Sequence, residues 1–383
     1  MMTNKARVAV MACASYDLEL LTQRIYDGVA LLGGFETWVR PGMNVLLKVN
    51  LIGPMPPEAA ATTHPALVRA VIRLLKPLGC TMWVGDSSGG AIGGKAQTGR
   101  SFAVSGLEQA VLEEGAVIKN FDREGIVTVT TTFGETMHLA KPVFDADFII
   151  NMPKLKTHLA ALYTGALKNL YGCIPGLKKA AYHKQAQSAR EFGEIICEIN
   201  RHIRPGLHIL DGVMAMDRQG PTSGTVYPAG KLLLSTDALA LDSVAVRMIG
   251  RDIRKLPMYA ACVSEKPASA EPSRVYVCGD FSVPPALPGF KLPRVLVREE
   301  GKNSALMAKL FDMLHTRPMV DTKACRRCNV CVESCPVQAI DARTKRIDYR
   351  QCIECMCCHE MCAFRAVRLV RTNPLLRLLT PPK

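Results

Sequence analysis

RVAVMAC (7–13), DLELLTQRIYDGVALLGG (17–34), MNVLLKVNL (43–51), ALVRAVIRLLKPLG (66–79) and TMWVGD (81–86) follow one another at the start of the chain, and their order decides the fold. The first, third and fifth are apolar runs of strand length. The second has apolar residues at helical spacing and ends in a Gly-Gly stop, and the fourth follows Thr62-Thr63-His64-Pro65, which offers N-cap candidates and a proline for the first helical turn. Alternation of this kind predicts a mainly parallel sheet with helices on both faces. Working outward, further strands are expected at 126–132, 147–151, 207–211, 231–235 and 274–278, and helices at 185–203 and 237–250. The opening MMTNKARVAVMACAS has the short apolar run of a signal peptide, but it leads straight into an amphipathic pattern and reads as a first strand. At 383 residues and 48% apolar, the chain should form two or three domains with a sizeable core. No apolar run reaches the 18 residues of a membrane span.

Near the C-terminus one cysteine pattern occurs twice. Cys325, Cys328, Cys331 and Cys335 read Cys-x2-Cys-x2-Cys-x3-Cys followed by Pro336, and Cys352, Cys355, Cys358 and Cys362 repeat the spacing followed by Ala363. This is the bacterial run for 4Fe-4S clusters, in which the fourth cysteine of each run ligates the other cluster. Cluster one is therefore assigned Cys325, Cys328, Cys331 and Cys362, and cluster two Cys352, Cys355, Cys358 and Cys335. Zinc also uses Cys-x2-Cys pairs, yet a tetrahedral ion gives no reason for a third cysteine at x2 and a fourth at x3. Cys357 falls off the pattern and stays outside the ligand set. ACRRCNVCVESCPVQAI (324–340) aligns without gaps with QCIECMCCHEMCAFRAV (351–367), which marks an internal duplication.

Six further cysteines, at 13, 80, 173, 197, 262 and 278, are scattered singly in apolar settings and read as buried free thiols. Reduced thiols and cubane clusters together point to the cytoplasm of an anaerobic or low-oxygen cell. The formal charge of +14 falls to roughly +10 once two clusters of about −2 each are included. Most of that excess lies on the N-terminal region, which suits an anionic ligand or an acidic partner. No Lys/Arg run exceeds two residues and aromatics make up 6%, so nucleic acid is disfavoured.

Several polar motifs sit where an α/β sheet places its site, past the C-terminal ends of strands. Lys48 and Asn50 end the second strand, and Asp86-Ser87-Ser88-Gly89-Gly90 follows the third and runs into AIGGKAQTG. That loop has neither Walker A nor Gly-x-Gly-x-x-Gly spacing and reads as a flexible surface loop. ADFIINMPKLKTH (146–158) reads as one strand delivering Lys154, Lys156 and His158. Lys168 and Asn169 follow on a helix, Asp211 follows another strand, and Asp217 lies in a Gly/Pro-rich loop. These residues are expected to share one net-positive cleft. Lys156, His158 and Asp86 are the catalytic candidates, and Lys48, Asn50, Lys154, Lys168, Asn169 and Asp211 the substrate-binding ones. Lys156 is expected to be exposed, so that its replacement barely changes stability.

Residues 321–371 resemble a two-cluster bacterial ferredoxin, departing from it at Ala363, where that family usually has proline. KVNL (48–51), GDSSG (85–89), PKLKTH (153–158), KNLYG (168–172), DGVMAMDRQGPTSG (211–224) and STDALALD (235–242) are similar to the family known as domain of unknown function 362, over about residues 7–250. The resemblance implies an iron–sulfur protein and supplies no reaction. The expected organisation is an α/β domain at 1–280, a connector with a short helix at 281–320, a ferredoxin-type α+β domain at 321–371 and a tail at 372–383. The expected function is passage of electrons between two clusters and a substrate or cofactor in the basic pocket, with a ferredoxin, flavodoxin or reductase as redox partner. The alternative is a non-enzymatic electron carrier or a cluster-delivery protein.

Overall fold

A computed structural model of the chain describes residues 5–176, 178–186, 188–293 and 316–372. β1 (Ala6–Ala12) leads into α1 (Leu18–Ala30), which Asp17 caps by accepting from Leu20 N at 2.9 Å. β2 (Asn44–Lys48) is followed by α2 (Pro65–Leu75). Of the expected caps it is His64 that acts, its Nδ1 accepting from Ala66 N, with Pro65 in the first turn. β3 (Thr81–Asp86) then pairs parallel with β2.

Beyond β3 the chain departs from simple alternation. β4 (Ala91–Ile92) and β5 (Lys95–Ala96) make a short hairpin, and β6 (Val117–Asn120), which sequence reasoning missed, adds parallel to β3 at the sheet edge. β7 (Ile126–Thr130), expected in the sheet, instead pairs only with β8 (Thr136–Ala140) in a separate ribbon. The single strand expected over 146–158 is two, β9 (Phe148–Asn151) and β10 (Lys154–His158), broken at Met152-Pro153, where proline has no N–H to donate. β11 (Leu162–Thr164), β12 (Leu207–Asp217), β13 (Thr225–Tyr227), β14 (Lys231–Ser235) and β15 (Val275–Gly279) complete the large sheet. The helix expected over 185–203 is observed as Ala189–His202, and a separate helix, Lys178–Gln185, precedes it. Ser188 starts the longer helix as its N-cap by accepting from Glu191 N.

The spatial order is β15-β1-β14-β12-β9-β2-β3-β6, with β10, β11 and β13 attached around β12. Along that path only β14 runs against its neighbours, so the sheet is mainly parallel, as expected. Alternate residues of one strand enter opposite cores. Val8, Val10 and Leu46 belong to one cluster, and Ala9, Met11, Val45 and Leu47 to the other. Burial on both faces explains why these strands read as continuous apolar runs rather than alternating ones.

Part of the expected connector belongs to this unit. Arg218 N donates to Lys291 O, Lys291 N to the Asp217 carboxylate, and Leu287 N to Met248 O, so the chain stays packed on the sheet unit through at least residue 291. The short helix expected within 281–320 lies outside the described residues, as does the tail after residue 372.

The C-terminal segment is small and mixed. β16 (Thr316–Val320) pairs antiparallel with β17 (Val367–Arg371), and short helices occupy Val330–Glu333 and Cys357–Glu360. The duplication read in the sequence reappears in the backbone. Arg327, Asn329 and Gln338 have positive φ, and so do their counterparts Glu354, Met356 and Arg365, each 27 positions on. Non-glycine residues rarely adopt this conformation, so its repetition marks two copies of one loop. Among the described residues no helix is long and apolar enough to cross a membrane.

Candidate functional site

The eight patterned cysteines fall into the two crossed quartets. Cys325, Cys328, Cys331 and Cys362 line one void, and Cys335, Cys352, Cys355 and Cys358, with the off-pattern Cys357, line another. All eight are free of disulfides. Among the described residues no group of three or more His, Cys, Asp or Glu side chains converges as it would around a single ion. The thiols line two small spaces instead.

A third hollow lies where the cluster segment meets the sheet unit, just past the ends of β2 and β3. Its cavity volume is about 130 Å³, roughly ten times what one water needs, so it suits a small molecule. The sheet unit contributes Asn50, Asp86, Lys156, His158, Lys168 and Asn169, and the cluster segment contributes Ser334, Cys357, Glu360 and Met361. The glycine-rich loop joins the two. Gly93 and Gly94, both at positive φ, form the two-residue turn between β4 and β5, and their N–H groups donate to Glu333 at 2.9 and 2.8 Å. The loop expected to be a flexible surface element is thus a docking hairpin. A Cβ at Gly89 would sit 2.6 Å from Met361 Sδ, so the two segments pack closely there.

Six of the expected site residues line the cleft, and the other three do not. Lys48 is buried behind it, paired with Asp86 at 2.9 Å and donating to Val49 O and Asn169 O. Asp86 also accepts from Leu51 N and Ser87 N, which leaves it little capacity for a ligand. This pair requires Gly172 of KNLYG, because a Cβ there would sit 2.1 Å from Asp86 Oδ1. Lys154 and Asp211 lie outside the cleft. They pair at 2.9 Å within a buried network in which Tyr16 donates to Asp211 and accepts from Lys154, while its ring stacks on His64 at 3.5 Å. Asp211 sits in the middle of β12 rather than after it. Asp217 ends that strand and accepts from Lys291 N, away from the cleft lining.

Within the cleft, Lys156 is 1% exposed, which corrects the expectation of a solvated side chain. It donates to Asn50 Oδ1 at 2.7 Å and Ala61 O at 2.6 Å, and burial, with Lys168 nearby, brings its pKa down to about 7. Asn50 donates to Asn169, which in turn donates to Asn151, so the amides form a chain beneath the lysine. His158 Nδ1 accepts from Ala160 N and Ala161 N, which puts the proton of the neutral ring on Nε2. That Nε2 lies 3.1 Å from Glu360 Oε1, and neither atom makes an aligned hydrogen bond. Burial, followed by Lys168, holds His158 well below the usual imidazole range, and burial raises Glu360 to about 7 against the pull of Lys168 and Lys156. Lys168 lies over the rings of Tyr171 and Phe192, and among the described residues it has no carboxylate at ion-pair distance.

Sequence reasoning missed Lys179, His183, Tyr171 and Glu360. Lys179 donates to Ser87 Oγ at 2.5 Å, which a long-range contact alone decides. Glu360 sits between the ligand candidates Cys358 and Cys362, so its place in the duplicated motif concealed a role outside it. Thr222, from the quoted DGVMAMDRQGPTSG run, secures that helix by donating to Glu360 O at 2.8 Å.

Known proteins resemble this chain to different extents. The apoprotein of a lactate racemase from Thermoanaerobacterium thermosaccharolyticum aligns with TM-score 0.38 and 14% identity, over 60% of this chain and 54% of that one. A Thermotoga maritima protein aligns with TM-score 0.35 and 15% identity, over 57% and 56%. The chain thus spans only about half of each of these structures. A thylakoid-associated protein of Synechocystis sp. is 34% identical over 302 residues, covering 76% of this chain and 92% of that protein. Residues 318–341 match the 4Fe-4S binding domain, which makes this an iron–sulfur protein; the second cysteine run lies beyond that match. Residues 45–247 match the domain of unknown function DUF362. The chain is a member of the DUF362 family with a 4Fe-4S binding segment following its α/β sheet.

Proposed function

We propose that this protein is an electron-transfer protein holding two 4Fe-4S clusters, and that the cleft binds a small anionic molecule which is reduced or oxidised there. The observation that carries the reading is the shared wall of the cleft: residues of the second cysteine motif, Cys357, Glu360 and Met361, face Lys156, His158 and Lys168 across it. When bound, the clusters would supply one-electron transfer. Cys325, Cys328, Cys331 and Cys362 would hold one, and Cys335, Cys352, Cys355 and Cys358 the other, since each quartet lines its own void.

The chain's own side chains divide the remaining work. Of the four lysines expected to bind an anion, Lys48 and Lys154 are committed to carboxylates and Lys156 to two oxygen acceptors. Lys168 is the one left to meet a carboxylate or phosphate group, and the aromatic rings beneath it steer its ammonium. His158 can hold a proton at Nε2 facing the cleft and Glu360, while Asp86 serves as a strut for Lys48 rather than as a catalytic acid. Free thiols throughout the sheet unit suit a reducing compartment such as the cytoplasm. A ferredoxin, flavodoxin or reductase would be the redox partner.

The test is spectroscopic. In anaerobically purified, reduced protein, small carboxylates or phosphate monoesters should shift the cluster signal in electron paramagnetic resonance, and Lys168→Ala should abolish the shift with iron content unchanged. A signal indifferent to every anion would replace this reading with that of a simple electron carrier.

A further inference from the structure

The cluster segment turns two different surfaces to its surroundings. Its inner surface is fastened to the sheet unit through Glu333, Glu360 and Met361. Its solvent-facing surface is basic. Lys323, Arg326, Arg327, Arg343, Arg346, Arg350 and Arg365 are exposed, against Asp341 as the one exposed acid in 316–372. Asp341 is moreover occupied with its own turn, accepting from Thr344 N and Arg343 N.

The charge is concentrated where one quartet of cysteines opens. Arg326 and Arg327 separate Cys325 from Cys328, and Cys328 is itself exposed. Arg326 and Phe364 line the same void as that quartet, and Phe364 keeps 49% of its surface in solvent next to Arg365. Among the described residues Arg326, Arg327 and Arg365 have no carboxylate partner. An exposed aromatic beside unpaired arginines has the composition of a protein-binding hot spot rather than of ordinary solvated surface. The cleft residues lie instead beside the second motif, so the two cysteine quartets differ in what they adjoin.

We propose that the surface formed by Arg326, Arg327, Cys328, Phe364 and Arg365 docks an acidic electron-carrier protein, so that this protein exchanges electrons with its partner at the first quartet and with its small ligand at the second. The proposal rests on the electron-transfer reading above. Complementary charge would steer encounter and orient the partner over the exposed Cys328, and such steering weakens steeply with salt.

Binding can be measured apart from any activity. Full-length, cluster-loaded protein is titrated anaerobically against an immobilised acidic flavodoxin, and against vesicles containing phosphatidylglycerol. Affinity for the flavodoxin should fall by about tenfold between 50 and 200 mM salt. The double variant Arg326→Glu/Arg327→Glu should weaken it by at least about tenfold, while Arg254→Glu on the sheet unit leaves it unchanged. Because Arg326 and Arg327 adjoin ligand candidates, Arg365→Glu/Arg346→Glu provides a second variant whose iron content is checked in parallel. Flavodoxin binding that both variants retain, or no flavodoxin binding at low salt, overturns the proposal. Binding to the vesicles in its place assigns the surface to a membrane and also overturns it. Iron content and the response to small anions are read on the same samples, so loss of the docking result with those intact leaves the electron-transfer reading standing.

Discussion

The sheet of residues 5–293 lies between two apolar cores, whereas the buried apolar cluster of residues 316–372 consists of Val320, Cys331, Ile340, Cys358 and Val367. Two of those five are cluster-ligand candidates. A segment under 60 residues buries too little surface for such a core to carry it, and small units of this kind depend on metal or disulfide cross-links. The sheet unit stands on hydrophobic burial along strands that present apolar residues to both faces. The contrast predicts that the sheet unit folds on its own while the small segment depends on its cofactor. The cleft lies at their junction, so its geometry inherits the dependence of the weaker unit.

The largest effect should come from removing iron. Anaerobic chelation is expected to lower amide-exchange protection across 316–372 by about two orders of magnitude or more, because the free energy of ligation is folding energy for such a segment. The sheet unit should keep its protection. Equal retention in both units would erase the contrast.

The next effect sharpens the ligand assignment. Cys335→Ser should reduce iron from about eight to about four atoms per chain, since Cys335 lines the void of the second quartet despite lying in the first motif. Cys357→Ser should leave iron unchanged, because Cys357 falls outside the repeated spacing although it lines both that void and the cleft. Loss of iron in the second variant and not in the first would reverse the ligand sets.

A smaller effect belongs to the sheet unit alone. Burial holds His64 and His208 down at about 4, so their folded-state pKa lies below the ordinary value of 6.5. The unfolded chain then binds more protons than the folded one between those values. Stability is fully present above about pH 6.5 and is lost as pH falls towards 4, by up to roughly 2 kcal/mol per histidine at pH 5. Both tryptophans, Trp38 and Trp83, lie in the sheet unit, so urea denaturation followed by fluorescence at pH 7 and pH 5 reads this unit selectively. His208→Gln should flatten the dependence. An unchanged midpoint between the two pH values would remove buried neutral histidine from the account.

The smallest effect concerns Lys156. Its replacement by alanine should lower stability by about 1–3 kcal/mol in the same denaturation assay, because Asn50 Oδ1 and Ala61 O lose a buried donor. A change within 0.5 kcal/mol, the usual scale for surface substitutions, would mean that Lys156 is solvated after all.

Much of the architecture was legible because the signals that specify it are local. The apolar runs of β1, β2, β3, β9 and β14 are short and bounded by turn residues, and the helix caps at Asp17, Ser188 and Asp237 act on neighbours three residues away. The misreadings have two different causes. Residues 126–130 have strand character wherever they pair, and nothing local distinguishes a place in the main sheet from a separate ribbon. Ser188, with Glu191 three residues on, was legible as a helix N-cap, and weighing it would have started the expected helix at Ala189 rather than at 185.

By itself the sequence determined the cysteine quartets and the strand–helix order. A ligand set at fixed short spacing in one loop and an apolar period along one element need no knowledge of distant residues. Only the tertiary structure decided how the polar motifs were shared out. It drew Lys154 and Asp211 into a network with Tyr16, set Asp86 as the partner of Lys48, and brought Glu360 against His158. It also turned Gly93 and Gly94 into donors for Glu333, 240 positions away. The physical reason is that a buried charge must find a partner. Which partner is available depends on which surfaces meet when the sheet closes and the cluster segment docks, and no local spacing encodes that.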